Sequence, residues 1–139
     1  WNGSATTHFM SRKPIPGRPL MLVVEDDPEL GAMIHSSLEA EVEVIEARNW
    51  ADARAWLKRT RFDLILLDLF LPDADLLHPL EAIRQIDADY PVILMSGNLD
   101  PSDAIIDRIE RLGVNAILTK PFSLAKLQER VREFLPRRG

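Results

Sequence analysis

The chain contains no cysteine, which excludes disulfides and thiolate metal sites. No apolar run approaches the ~20 residues of a membrane-spanning helix, and no segment has the layout of a signal peptide. Positive charge is not in excess: 17 Lys and Arg stand against 22 Asp and Glu, for a formal charge of −5. No basic cluster stands out in the body of the chain, so nothing points to nucleic acid or to a membrane surface. What is present suits a globular domain, with 46% apolar and 28% charged residues in the usual proportions. At 139 residues the chain fits one domain with a core of its own, without staples. A cytoplasmic protein is the expectation.

Residues 1–18, "WNGSATTHFMSRKPIPGR", are polar, rich in Gly and Pro, and show no apolar period. They read as a disordered leader, with Trp1 to Phe9 a cloning scar, Met10 the native start and His8 without a role. The closing "PRRG" reads as a helix stop running into solvent or into an excised linker. Between these ends, from 19 to 136, strands and helices alternate. Strands are expected at 20–24, 41–47, 63–68, 91–95 and 115–119. Helices are expected at 28–40, 50–60, near 79–87, at 100–114 and at 123–135. Leu30, Met33, Ile34 and Leu38 share one face of the first helix, and Leu124, Leu127, Val131 and Phe134 one face of the last. Asn49 is the expected cap of the second helix, Asp100 of the fourth with Pro101 at its first position, and Gly113 the stop. The 41–47 strand alternates as an edge strand does.

Five such units imply right-handed crossovers and a parallel sheet covered on both faces. Three of the strands are continuous apolar runs, as central parallel strands should be. The predicted fold is α/β, a flavodoxin-like doubly wound parallel sheet of order 2-1-3-4-5, which binds ligands beyond the carboxyl ends of its strands. Glu25 and Asp26 follow the first strand there, Asp68 ends the third, Ser96 follows the fourth and Lys120 the fifth. Asp27, just before Pro28, reads as a helix cap. Three carboxylates brought together repel one another unless a cation is present. Oxygen donors without His or Cys suit Mg2+. A lysine and a hydroxyl opposite Asp68 suit an anion with several oxygens. A carboxylate can attack phosphorus, and a metal with an ammonium offsets charge on the transferring group. Asp68 is therefore the candidate nucleophile.

With "VVEDD" at 23–27, "LLDLFLP" at 66–72, "LMSG" at 94–97 and "LTKPF" at 118–122, the sequence resembles the receiver domain of two-component response regulators, over about residues 20 to 135. The resemblance implies a phosphoacceptor at Asp68, loaded by a histidine kinase or a histidine phosphotransfer protein. It implies Mg2+ held by Asp26, Asp68 and the backbone carbonyl of Phe70, with Glu25 reaching it through water. Lys120 would pair with the phosphoryl oxygens, the Lys120–Pro121 bond would be cis, and Ser96 would move to the phosphoryl group. The domain would then be a regulatory phosphoacceptor, catalysing only its own loading and unloading. Its partner face would be helix four, strand five and helix five, residues 104 to 132, which would also carry a homodimer. No nucleic acid and no membrane is expected to bind this domain.

Three features depart from that family's pattern. Ile117 stands where a switch aromatic is usual. The loop after Pro72, "DADLLHPLEAIR", lacks the usual Asp-Gly turn and is one residue longer, so helix three starts late at Pro79, with His78 exposed rather than catalytic. Phe70 and Asn98 occupy the positions that modulate phosphoryl lifetime. Two other readings follow from these features: a protein-binding module that keeps the fold without phosphorylation, and an aspartyl-phosphate phosphatase. The second lacks the acid expected two residues after the nucleophile, where Phe70 stands.

Overall fold

A computed structural model describes residues 17–97, 99–100 and 103–136. The expectations for the leader up to residue 16, including His8, for Asn98 and Pro101, and for the tail 137–139 lie outside the described residues. Ten elements follow in strict alternation: β1 (Leu20–Val24), α1 (Pro28–Leu38), β2 (Glu43–Ala47), α2 (Trp50–Arg59), β3 (Leu64–Asp68), α3 (His78–Ile86), β4 (Val92–Ser96), α4 (Ala104–Leu112), β5 (Ala116–Thr119) and α5 (Leu124–Phe134). All strand pairs are parallel and the order is β2-β1-β3-β4-β5, the expected topology. None of the described helices is long and apolar enough to cross a membrane.

The continuous apolar strands are explained by burial on both faces. Leu22, Val24, Ile65, Leu67, Val92 and Leu94 point to one layer, with Trp56 and Leu57 of α2, Leu80 and Ile83 of α3 and Ile109 of α4. Met21, Val23, Leu64, Leu66, Ile93 and Met95 point to the other, with Ile34 and Leu38 of α1 and Leu127 and Val131 of α5. Successive strand residues face opposite ways, so only a run apolar throughout fills both layers. Each of these side chains contributes about 1.5–3 kcal/mol when fully buried.

Caps set most helix starts. Asp27 accepts the N–H of Glu29 and precedes Pro28, Asn49 accepts that of Asp52, and Ser123 that of Lys126. Gly113 stops α4 with φ +82°, in the left-handed region where a side chain would clash. Two expectations are corrected. Met33 is exposed, at 52%. α1 instead turns Gly31 inward with Ile34 and Leu38, and a Cβ on Gly31 would lie 2.9 Å from Glu46 Oε1 of β2. The buried stripe thus runs along Gly31, Ile34 and Leu38 and leaves Met33 to one side. Helix α4 starts at Ala104, with Asp103 rather than Asp100 at the cap position. The Asp103 N–H donates to the Asp100 carbonyl at 2.9 Å, before the helix begins.

Candidate functional site

The register brings the strand ends level. Val24 lies beside Leu67, Asp68 beside Met95 and Ser96 beside Thr119. The residues that follow Val24 and Thr119 therefore emerge on one rim with Asp68 and Ser96. Glu25 stays tied to the sheet through its N–H, which donates to the Ala47 carbonyl at 3.0 Å. The Lys120 N–H donates to the Ser96 carbonyl at 2.6 Å, and the Lys120–Pro121 bond is cis.

From these anchors the side chains converge. Oxygen atoms of Glu25, Asp26 and Asp68 all lie within 4.8 Å of one another. Glu25 and Asp68 are buried, each 3% exposed, whereas Asp26 is exposed. The Lys120 ammonium donates to Glu25 Oε1 at 2.6 Å and to Asp68 Oδ2 at 3.3 Å. The other oxygens take backbone donors: Glu25 Oε2 accepts the Asp27 N–H at 3.1 Å, and Asp68 Oδ1 accepts the Phe70 N–H at 3.1 Å. The Ser96 hydroxyl is buried and lacks a hydrogen-bond partner. Such a group costs free energy unless a ligand or water completes it.

The charge does not balance, because one ammonium faces three carboxylates. Burial pushes the Glu25 carboxyl up to about 7, helped by the nearby Asp68 charge and opposed by the hydrogen bonds from Lys120 and Asp27. Burial also pulls on the Lys120 ammonium, downward, but hydrogen bonds and charge from Glu25 and Asp68 outweigh it and raise its pKa. The two shifts pull apart on whether Glu25 is ionised. The geometry favours the ion pair, since the 2.6 Å contact is short even for a charge-assisted bond, with Glu25 easily protonated. A divalent cation at this rim would complete the balance. The donors are all hard oxygens in the reach of one ion, and no His or Cys competes, so the residues present fit Mg2+.

The sequence named each of these residues, and the fold brings Glu25, Asp26, Asp68 and Lys120 together, with Ser96 on the adjacent strand end. It did not show that Lys120 lies nearer Glu25 than Asp68. Phe70, 56% exposed, follows the site outward, and Ile117 is 41% exposed on the outer strand β5. The sequence also missed Asp73 in the loop between β3 and α3. Its carboxylate accepts the N–H groups of Trp50 at 2.8 Å and Ala51 at 3.0 Å. That pairing spans more than twenty residues, and an Asp after Pro reads locally as a turn former.

Comparison with known proteins bears on this arrangement. The response regulator receiver domain family matches residues 21–132. The swarming motility regulation protein RssB of Serratia marcescens is 38% identical over 113 residues, covering 81% of this chain and 51% of that protein. The transcriptional regulatory protein PrrA of Mycobacterium tuberculosis is 36% identical over 124 residues, covering 87% and 52%. The chain thus spans about half the length of these relatives. Among solved structures, the receiver domain of the Francisella response regulator 1452 superposes with a TM-score of 0.71 at 28% identity, covering 84% of this chain and 96% of that one. The chemotaxis response regulator CheY4 of Vibrio cholerae, at 23% identity and a TM-score of 0.76 over 85% of this chain and 99% of its own, shares the fold. The chain belongs to the response regulator receiver domain family, a regulatory domain of two-component signalling.

Proposed function

We propose that this receiver accepts a phosphoryl group on Asp68 from a phosphohistidine of a histidine kinase or histidine phosphotransfer protein. The carrying observation is the Lys120 ammonium 3.3 Å from Asp68, inside a rim of three converging carboxylates. In the step, Asp68 Oδ bonds to phosphorus while the phosphorus–nitrogen bond to the donor imidazole breaks, and the imidazole leaves with the electron pair. Asp26, Asp68 and the Phe70 carbonyl would hold Mg2+, with Glu25 behind them. When bound, the ion supplies positive charge that offsets the carboxylates and the phosphoryl oxygens. Lys120 orients Asp68 and, with one N–H released, can turn towards a phosphoryl oxygen. The unpartnered Ser96 hydroxyl is a ready donor to that group. Its movement towards the phosphoryl would bias the neighbouring face of α4, β5 and α5, within the limit set by the contacts that differ between the two states. The relatives' roles, swarming regulation and transcriptional regulation, make control of gene expression the output we favour, exerted in the cytoplasm.

The test is intact-mass measurement after incubation with Mg2+ and acetyl phosphate. The wild-type chain gains one phosphoryl group and Asp68→Asn gains none. Equal labelling of the variant would place the site elsewhere. A receiver that binds partners without phosphorylation is the second reading, favoured by the aliphatic Ile117 on exposed β5. It predicts no labelling of either chain.

A further inference from the structure

Helix α2 receives two caps, and only one comes from its own end. Asn49, the residue before the helix, accepts the Asp52 N–H at 2.8 Å, as a cap residue does. The first two N–H groups, of Trp50 and Ala51, are taken by the two oxygens of Asp73, five residues beyond Asp68. The same helix residue also meets the first residue of α3, where the loop ends. The Trp50 ring stands edge-on to His78, with centroids 6.4 Å apart and an interplanar angle of 88°.

The loop leading from Asp68 to α3 needs such a tie. Its two ends are anchored: Leu69 donates its N–H to the Met95 carbonyl at 2.8 Å, and Leu69, Leu71 and Leu77 are buried in the core. Its crown is largely exposed, with Ala74 resting on the core. Pro72, Asp73, Ala74, Asp75 and His78 border an open cleft of about 550 Å3. Phe70, whose N–H already holds Asp68 Oδ1, lies between the buried Leu69 and Leu71, just ahead of this crown.

We propose that Asp73 is a positioning residue for the phosphoacceptor site: by seating both oxygens on the first two N–H groups of α2, it holds the β3–α3 loop in the shape that presents Phe70 to the metal. This rests on the reading of Asp68 and Mg2+ above. The helix end acts as the anchor and the loop as the part restrained, because Asn49 caps the helix independently. The partial positive charge of the helix N-terminus favours the carboxylate over a neutral side chain. The tie also places α2, a helix that contributes no residue to the rim, in direct contact with the loop that does.

The 139-residue chain can be titrated with Mg2+ while NMR follows the amides of Glu25, Asp26, Asp68 and Phe70, with hydrogen exchange read over residues 69–77. Asp73→Ala weakens Mg2+ affinity roughly five-fold, the equilibrium equivalent of losing one helix cap, and speeds exchange across the loop. Asp73→Asn, with one carbonyl oxygen for two donors, falls between. Asn49→Ala removes the other cap from the same helix; it lowers the melting temperature comparably and leaves Mg2+ affinity unchanged. Wild-type affinity in Asp73→Ala, or an equal loss in Asn49→Ala, overturns the positioning role while leaving the phosphoacceptor reading intact. A wild-type chain that shows no Mg2+ response at these amides overturns both.

Discussion

Replacing Lys120 by Met removes the ammonium that touches two buried carboxylates while keeping most of the side chain's apolar length. The Glu25 and Asp68 side chains are 1% and 4% exposed, so water cannot replace the lost partner. Breaking a buried pair in this way costs about 3–5 kcal/mol. The structure supplies a relief route, because Glu25 already titrates at about 7 and rises further without the ammonium. The variant can bind a proton there instead of leaving two charges unpaired. The direction with pH then follows. A carboxyl whose folded pKa lies above its unfolded value of 4.5 leaves stability intact below 4.5 and loses it as pH rises through the folded value. The penalty of Lys120→Met is therefore largest near pH 8, at roughly 3 kcal/mol or more, and shrinks towards pH 5. Mg2+ should restore the variant more than it stabilises the wild type, since the ion takes over the missing positive charge. Urea unfolding at pH 5, 6.5 and 8, with and without Mg2+, measures all of this. A penalty that is the same at every pH and indifferent to Mg2+ would refute the claim that unbalanced carboxylate charge governs this rim.

Two further outcomes are expected. The Asp73 carboxyl is held below its ordinary range, foremost by the Trp50 N–H and also by that of Ala51, against partial burial. Its stabilisation is complete above its unfolded pKa and is lost as pH falls through the lower folded value, so unfolding curves of wild type and Asp73→Ala should differ by about 1 kcal/mol near pH 7, and the difference should shrink as pH falls below 3.8. Phe70 stands exposed two residues after Asp68, where its ring can obstruct a water attacking the proposed phosphoryl group; Phe70→Ala should lose a loaded phosphoryl group several-fold faster, measured as decay of the phosphorylated mass after donor removal, and an unchanged decay would remove Phe70 from that role.

How much of this could be read along the chain differs from element to element. The apolar runs at 64–67 and 92–95 could only be central strands, because no other short element buries every residue. Asn49, Asp27 and Gly113 were legible because a cap is a matter of three or four adjacent residues. Asp100 misled for the same reason. Two acids, Asp100 and Asp103, offer the same local chemistry, and the structure puts the second at the cap position, its N–H donating to the Asp100 carbonyl. Met33 misled because helical spacing alone does not say which side of a stripe faces the sheet. The packing of Gly31, Ile34 and Leu38 onto the sheet does. Arg84 carried no signal at all, yet its guanidinium donates to the carbonyls of Leu112, Gly113 and Tyr90, joining α3 to the end of α4 and the approach to β4.

The amino-acid order by itself determined the alternation of strand and helix, the two-sided burial of the sheet, and the placing of an acid, a hydroxyl or a lysine where each of four strands runs out. Those properties are periodic or local, and periodicity and caps are written in neighbouring residues. Only the tertiary structure decided which oxygen the lysine prefers, that the Ser96 hydroxyl is buried without a partner, and that Asp73 ties the β3–α3 loop to α2. Each of these depends on distances of a few ångströms between residues from 22 to 95 positions apart, and such distances are set by how the layers pack.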